Sequence, residues 1–301
     1  VAEVAACVLV AVALATRAPL VASVVGLMVF GILHNVLELR YVLARWAGGF
    51  AGSFRVVVLA LVTVIALTRL AGPGARRVEL LLGFGVLAAG MAYGARSRPV
   101  LAVAGLPAVG VALALSWTHL DLYFVAVTYL HNLVPFVVLW DWSARRLRGR
   151  ALAAFRLVQA AWLLVVPALL LGGVLPVPGV AAQGHAVRFA GPLAAHVATA
   201  TPPAWRGVEA GRWLAVFAFL QVLHYVFWCA FLPRYAVERQ PRLPRAAWIG
   251  VAALAVAFAF GYATSWATTK VTYTALASYH AYIEYAVLAL VVFAPRRREA
   301  T

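Results

Sequence analysis

Charge of either sign is scarce in this sequence, and lysine is almost missing. Nine acidic side chains and a single lysine, Lys270, stand among 301 residues, and only 11% of the chain is charged where soluble domains carry about 25%. That scarcity excludes a conventional soluble domain, because with 65% of residues hydrophobic and a mean hydropathy of +0.94 no polar shell could cover the apolar mass. Cysteine is nearly absent too. Cys7 and Cys229 lie far apart inside apolar runs, which excludes a disulfide framework and a Cys-x-x-Cys metal site. No Gly-x-Gly-x-x-Gly, Walker or Ser/His/Asp pattern stands in a credible context, which argues against nucleotide use.

What the chain has in quantity is long apolar runs. Stretches able to span a bilayer fall near residues 1–16, 20–45, 56–72, 77–95, 99–116, 118–140, 151–174, 209–232, 245–266 and 268–294. The expected fold is therefore all-α: a polytopic transmembrane bundle of about ten helices, one transmembrane domain over 1–301 with an outer loop at about 175–208. The first run has no basic region before it and no small-residue cleavage site after it, so it reads as a helix and not as a removed signal. The boundary at 116–118 is the weakest.

The net charge of +16 would point to nucleic acid in a soluble protein, but here arginine falls between apolar runs, where it meets lipid headgroups. Basic residues accumulate on alternate connections. Placing both termini in the cytoplasm puts 17 of the 25 basic residues inside, among them the clusters at Arg145–Arg150 and Arg296–Arg298. Arg17, Arg69, Arg76, Arg77, Arg188, Arg206, Arg212 and Lys270 fall on the other side.

Ionisable side chains at bilayer depth cost roughly 2.5–3.5 kcal/mol on insertion scales, so each is a candidate for function. His34, His131, His224 and His280 each interrupt an apolar segment, and all four sit on even-numbered helices at about 20 Å from the outer end. Glu38 follows His34 by four residues and Glu284 follows His280 by four, which stacks each pair on one helix face. Imidazoles and carboxylates converging in a dry bundle suit a transition metal such as iron or zinc. The four histidines are candidate metal ligands, while Glu38 and Glu284 either ligate or orient an imidazole and carry the acid–base chemistry. Asn35, Asn132, Gln221 and Tyr225 neighbour the histidines in sequence and could support them. His119 and Asp121 read as a helix end, Lys270 as an interfacial anchor, and His185 and His196 as loop residues without a specific role. A Leu-His-Asn triplet recurs at Leu33–Asn35 and Leu130–Asn132, and no other repeat stands out.

These residues resemble the bacterial and archaeal Brp/Blh family, the membrane-bound β-carotene 15,15′-dioxygenases that make retinal. That family carries Gly-x-Pro-His-Gly-x-x-Asp on an early helix; here Gly31-Ile32-Leu33-His34 with Glu38 is similar, with Leu for Pro and Glu for Asp. His131 matches the family's middle-helix histidine in order. Gln221-Val222-Leu223-His224 matches the first half of a His-x-x-x-His element whose second position holds Trp228, and His280 with Glu284 resembles the last-helix pair. The resemblance implies one or two iron ions, with His280 or a glutamate completing the coordination, and an oxygenase acting on a lipophilic polyene drawn from the bilayer of a bacterial inner membrane. From the residues themselves, a zinc-dependent lipid hydrolase and a proton- or ion-coupled transporter using the His/Glu set as a relay stay open.

Overall fold

The computed structural model describes residues 2–46, 52–177, 179–207, 209–235 and 242–293. Parts of the positive-inside pattern, Arg239 and Arg296–Arg298, lie outside the described residues, as does the Gly-rich break at 47–51. Among the described residues there is no strand. The helices are α1 (Ala2–Arg17), α2 (Pro19–Trp46), α3 (Gly52–Ala71), α4 (Arg76–Ala95), α5 (Pro99–Thr118), α6 (Leu120–Arg146), α7 (Gly149–Leu171), α8 (Leu193–Ala200), α9 (Ala210–Val226), α10 (Leu232–Tyr235), α11 (Arg245–Thr264) and α12 (Trp266–Phe293). A π turn, Phe227–Phe231, joins α9 to α10.

Helix is what lipid demands, since a backbone N–H or C=O in hydrocarbon has no water to bond and must be satisfied within its own segment. Nine spans among the described residues are long and apolar enough to cross a membrane, so the chain is a multi-pass membrane protein of all-α class. The one expected segment not among these nine, 1–16, is α1, helical over 16 residues. The helices break where the sequence punctuates them. Pro19 opens α2 and Pro99 opens α5, each at a position whose N–H has no partner inside the helix. His119 is the single residue between α5 and α6, so the weakest expected boundary falls there.

The chain divides into two compact units. The first comprises residues 1–37, 124–237 and 243–267. Its centre is α9, against which α1, α7 and α8 pack. Leu214 to Leu220 are buried without interruption, which fits a helix that is apolar all round. The expected outer loop is not open coil: 3-10 turns at Val180–Gln183, Arg188–Ala190 and Pro203–Trp205 accompany α8. Two side chains fasten it. Gln183 Oε1 accepts the Leu20 N–H at 3.0 Å, satisfying a donor that the first turn of α2 leaves over. His196, read from the sequence as a loop residue without a role, is buried; its Nε2 donates to the Ala190 carbonyl at 3.0 Å and its ring lies 5.6 Å from Trp266. A Gln183→Ala substitution should cost about 1–2 kcal/mol, read as a lowered thermal midpoint in detergent, because the buried Leu20 N–H loses its acceptor.

The second unit comprises residues 38–123, 238–242 and 268–301. Here α3 packs on α4 and α4 on α5, and Phe54, Val58, Val62, Ile65, Val86, Tyr282, Ala286 and Leu290 form its core. The α4 and α12 backbones approach closely: a Cβ at Gly90 would run into Ala289, the small-residue packing on which membrane helices rely. Arg98 donates to the Val292 carbonyl at 3.0 Å and closes the end of α12. Arg69 and Tyr282 both bond Glu79 Oε1, at 2.8 Å and 2.7 Å, so the one carboxylate ties α3, α4 and α12 together.

Candidate metal centre

Of the first unit's histidines, three, His34, His131 and His224, sit in long apolar helices whose regular bonding is altered near them. His34 lies midway along α2, and its Nδ1 contacts the Phe30 carbonyl at 2.8 Å. A carbonyl only accepts, so Nδ1 carries the proton and the lone pair of the neutral ring is on Nε2, the form in which an imidazole ligates a metal. His131 stands four residues before Pro135 on α6, and proline has no N–H to give back to the His131 carbonyl. His224 lies near the end of α9, three residues before the π turn, an interruption that recurs at functional sites.

These three histidines come together. Ring centroids are 4.4 Å apart for His131 and His224, 5.1 Å for His34 and His224, and 6.3 Å for His34 and His131. A ligand nitrogen of His34 lies within 4.8 Å of one on His131. With metal–nitrogen bonds of about 2.1 Å and roughly another ångström from nitrogen to ring centre, imidazoles sharing one ion have centroids about 4.5–5.5 Å apart. Two of the three separations are close to that range and the third is wider, so the donor set fits a transition ion after a small inward movement of His34 or His131. His34 and His224 are buried and His131 is partly so, which keeps bulk water from competing for the ion.

Tyr225 is the side chain that most directly supports the group. Its ring lies 4.8 Å from His34 and 5.8 Å from Phe30, and its hydroxyl accepts from Gln221 Nε2 at 3.0 Å. Gly26 makes room for it, since a Cβ there would stand 3.1 Å from the tyrosine ring. Asn132, in contrast, turns to its own helix and donates to the Thr128 carbonyl. Trp228, at the position where the family motif has its second histidine, is buried with its ring 6.5 Å from His224. An indole offers no lone pair for a metal, so residue 228 fills space at the group's edge.

The two glutamates meet in the second unit. Glu38, one turn after His34 on the same helix, and Glu284, one turn after His280 on α12, are both buried, and their carboxyl groups lie within hydrogen-bonding reach of each other. His280 is likewise buried. Toward the end of the same unit, Tyr123 reaches the hydroxyls of Tyr282 and Tyr285. Gly83 provides the space, for a Cβ there would lie 2.8 Å from both the Tyr123 oxygen and the Tyr282 ring. The Arg69–Glu79–Tyr282 group escaped the reading of the sequence. Its signal was a glutamate opening an apolar run, ten residues after an arginine that closes the preceding one.

His119 and Asp121 lie at helix ends. Asp121 stands in the first turn of α6 and pairs with Arg76 at 2.8 Å, and His119 closes α5 through its backbone. Lys270 lies in the second turn of α12, His185 in the loop. Compared with known proteins, the chain matches no family model, no curated protein and no solved structure.

Proposed function

We propose that this protein is a membrane-embedded, metal-dependent oxygenase acting on a lipophilic substrate such as a carotenoid. The observation that carries the reading is the trio of histidines, His34, His131 and His224, gathered within 6.3 Å of one another inside a membrane bundle. Three imidazoles as the donor set favour a divalent first-row ion over magnesium or calcium, which prefer oxygen ligands. Iron bound there would supply the activation of O₂.

The chain's own residues do the rest. The Nδ1 bond of His34 to the Phe30 carbonyl holds its ring in the ligating tautomer. Tyr225 and Trp228 wall the histidines with apolar ring surface, which keeps water from a reacting polyene. Glu38 and Glu284 are the acid–base pair, since two carboxyl groups in contact readily hold one proton between them. His280, expected from the sequence as a metal ligand, is buried in the second unit one turn before Glu284. The substrate enters sideways from the lipid, and the excess of arginine on alternate connections sets the orientation, with both termini on the cytoplasmic side of a bacterial inner membrane.

The test is to purify the protein in detergent, load it with iron, and incubate it with a panel of carotenoids and other polyenes under ¹⁸O₂. Cleaved products carrying the label support the reading. A protein that binds stoichiometric zinc and no iron, and hydrolyses lipid esters or amides without O₂, would replace it with a hydrolase. The buried pair of carboxyl groups also favours a second reading, a proton-coupled carrier, and this is supported instead if no metal is retained and the protein moves protons in liposomes.

A further inference from the structure

In the first unit, away from the histidines, a cavity of about 770 Å³ opens where α7 ends and α9 begins, in the size range of ligand sites. Its walls are of two kinds. Leu175, Val177, Leu193 and Val197 make one side apolar, while Arg206 and Arg212 bring two guanidinium groups to the same space.

Arg212 is held in place before any ligand arrives. Its Nη1 donates to the Leu171 carbonyl at 3.1 Å and pairs with Glu209 at 2.8 Å. Gly173, at a φ of +74°, lets it lie there, since a Cβ would come within 2.7 Å of Nη2. Both of these acceptors engage Nη1, which leaves the Nη2 and Nε face of the fork for a ligand. Arg206 is braced at 3.4 Å by the carbonyls of Ala198 and Thr201. Two braced arginines, Arg212 in the first turn of a membrane span and Arg206 in the loop just before it, stand beside an apolar wall, the chemistry that takes an oxyanion carrying a hydrocarbon chain.

We propose that this cavity binds one anionic phospholipid, its phosphate taken by Arg206 and Arg212 and the start of an acyl chain lying on the Leu175–Val197 wall. The wall is what separates this from a site for free phosphate, which would gain nothing from apolar side chains. The proposal is independent of the metal reading.

Native mass spectrometry of the detergent-purified full chain tests it with three probes: phosphatidylglycerol, diacylglycerol as the headless analogue, and inorganic phosphate. One phosphatidylglycerol should be retained per chain, diacylglycerol should not, and millimolar phosphate should not displace the lipid. Arg206→Gln should weaken retention about tenfold, as expected for one charge-assisted pair. Because Arg212→Gln also removes a helix-end contact, Ala194→Trp serves as the second variant; at an exposed position on the cavity's lining it takes up cavity space while both arginines keep their charge, and should abolish retention at unchanged thermal stability. Equal retention of diacylglycerol, displacement by phosphate alone, or undiminished lipid binding in both Arg206→Gln and Ala194→Trp would overturn the proposal.

Discussion

Changing His131 to Ala is expected to drop bound metal from about one ion per chain to less than about a tenth, measured by plasma mass spectrometry beside the parent protein. The magnitude follows from counting donors. Removing a group that merely orients a ligand costs about 10–100-fold in affinity, and removing one of three ligands costs more than that. His34→Ala and His224→Ala should behave the same way, because each ring lies within 6.3 Å of the other two. The useful contrast is Glu284→Gln, which preserves shape and leaves all three rings in place. It should keep the metal and lower turnover, since the carboxyl pair with Glu38 is assigned to the proton and not to the ion. Retention of a full complement of metal by all three histidine variants would remove the ground for a metalloenzyme.

The bundle was legible in the sequence because lipid allows so few alternatives. Apolar runs of the right length must be helices, and their ends are written in proline, glycine and arginine, as Pro19 and Pro99 illustrate. The histidines were legible for the related reason that an imidazole in an apolar run is costly without a purpose. What could not be read was how the backbone departs from regular helix beside them. The π turn begins within Leu-His-Tyr-Val-Phe-Trp, which has no glycine or proline, and the nearest proline, Pro233, comes only two residues after the turn ends. Trp228, four residues after His224, still lies beside it, its ring 6.5 Å away, so the widened turn does not separate the pair.

The outer loop shows the opposite limit. Its proline, glycine and alanine content reads as an open connection, yet Gln183 and His196 tie it down through contacts 163 and 6 residues away in sequence. Neither contact has a local signature. The same holds for Glu79, whose partners Arg69 and Tyr282 come from other helices. Long-range polar pairs of this kind depend on which faces the helices turn toward each other, and periodicity is nearly silent about faces when residues all round a helix are apolar.

Replacing Arg69 by Met should destabilise the protein by about 3 kcal/mol, because it leaves the Glu79 carboxylate, only 4% exposed at its side chain, without its positive partner. Arg69 itself is 27% exposed, so part of its charge is screened and the loss should fall at the lower end for a broken buried pair. Glu79→Gln alone keeps an oxygen to accept the Tyr282 hydroxyl and should cost less, about 1–2 kcal/mol. The double variant is the decisive member of the series. If the single losses come from stranding a charge, Arg69→Met with Glu79→Gln should recover at least half of the Arg69→Met loss, since no unpaired charge then remains in the bundle. Thermal midpoints of the four proteins in one detergent give the coupling energy directly. Additive losses would mean that Arg69 contributes through the packing of its methylene stem and not through Glu79. A recovered double variant would instead identify the ion pair as the clasp that fixes how α3 and α4 pack, with Tyr282 carrying the same carboxylate onto α12.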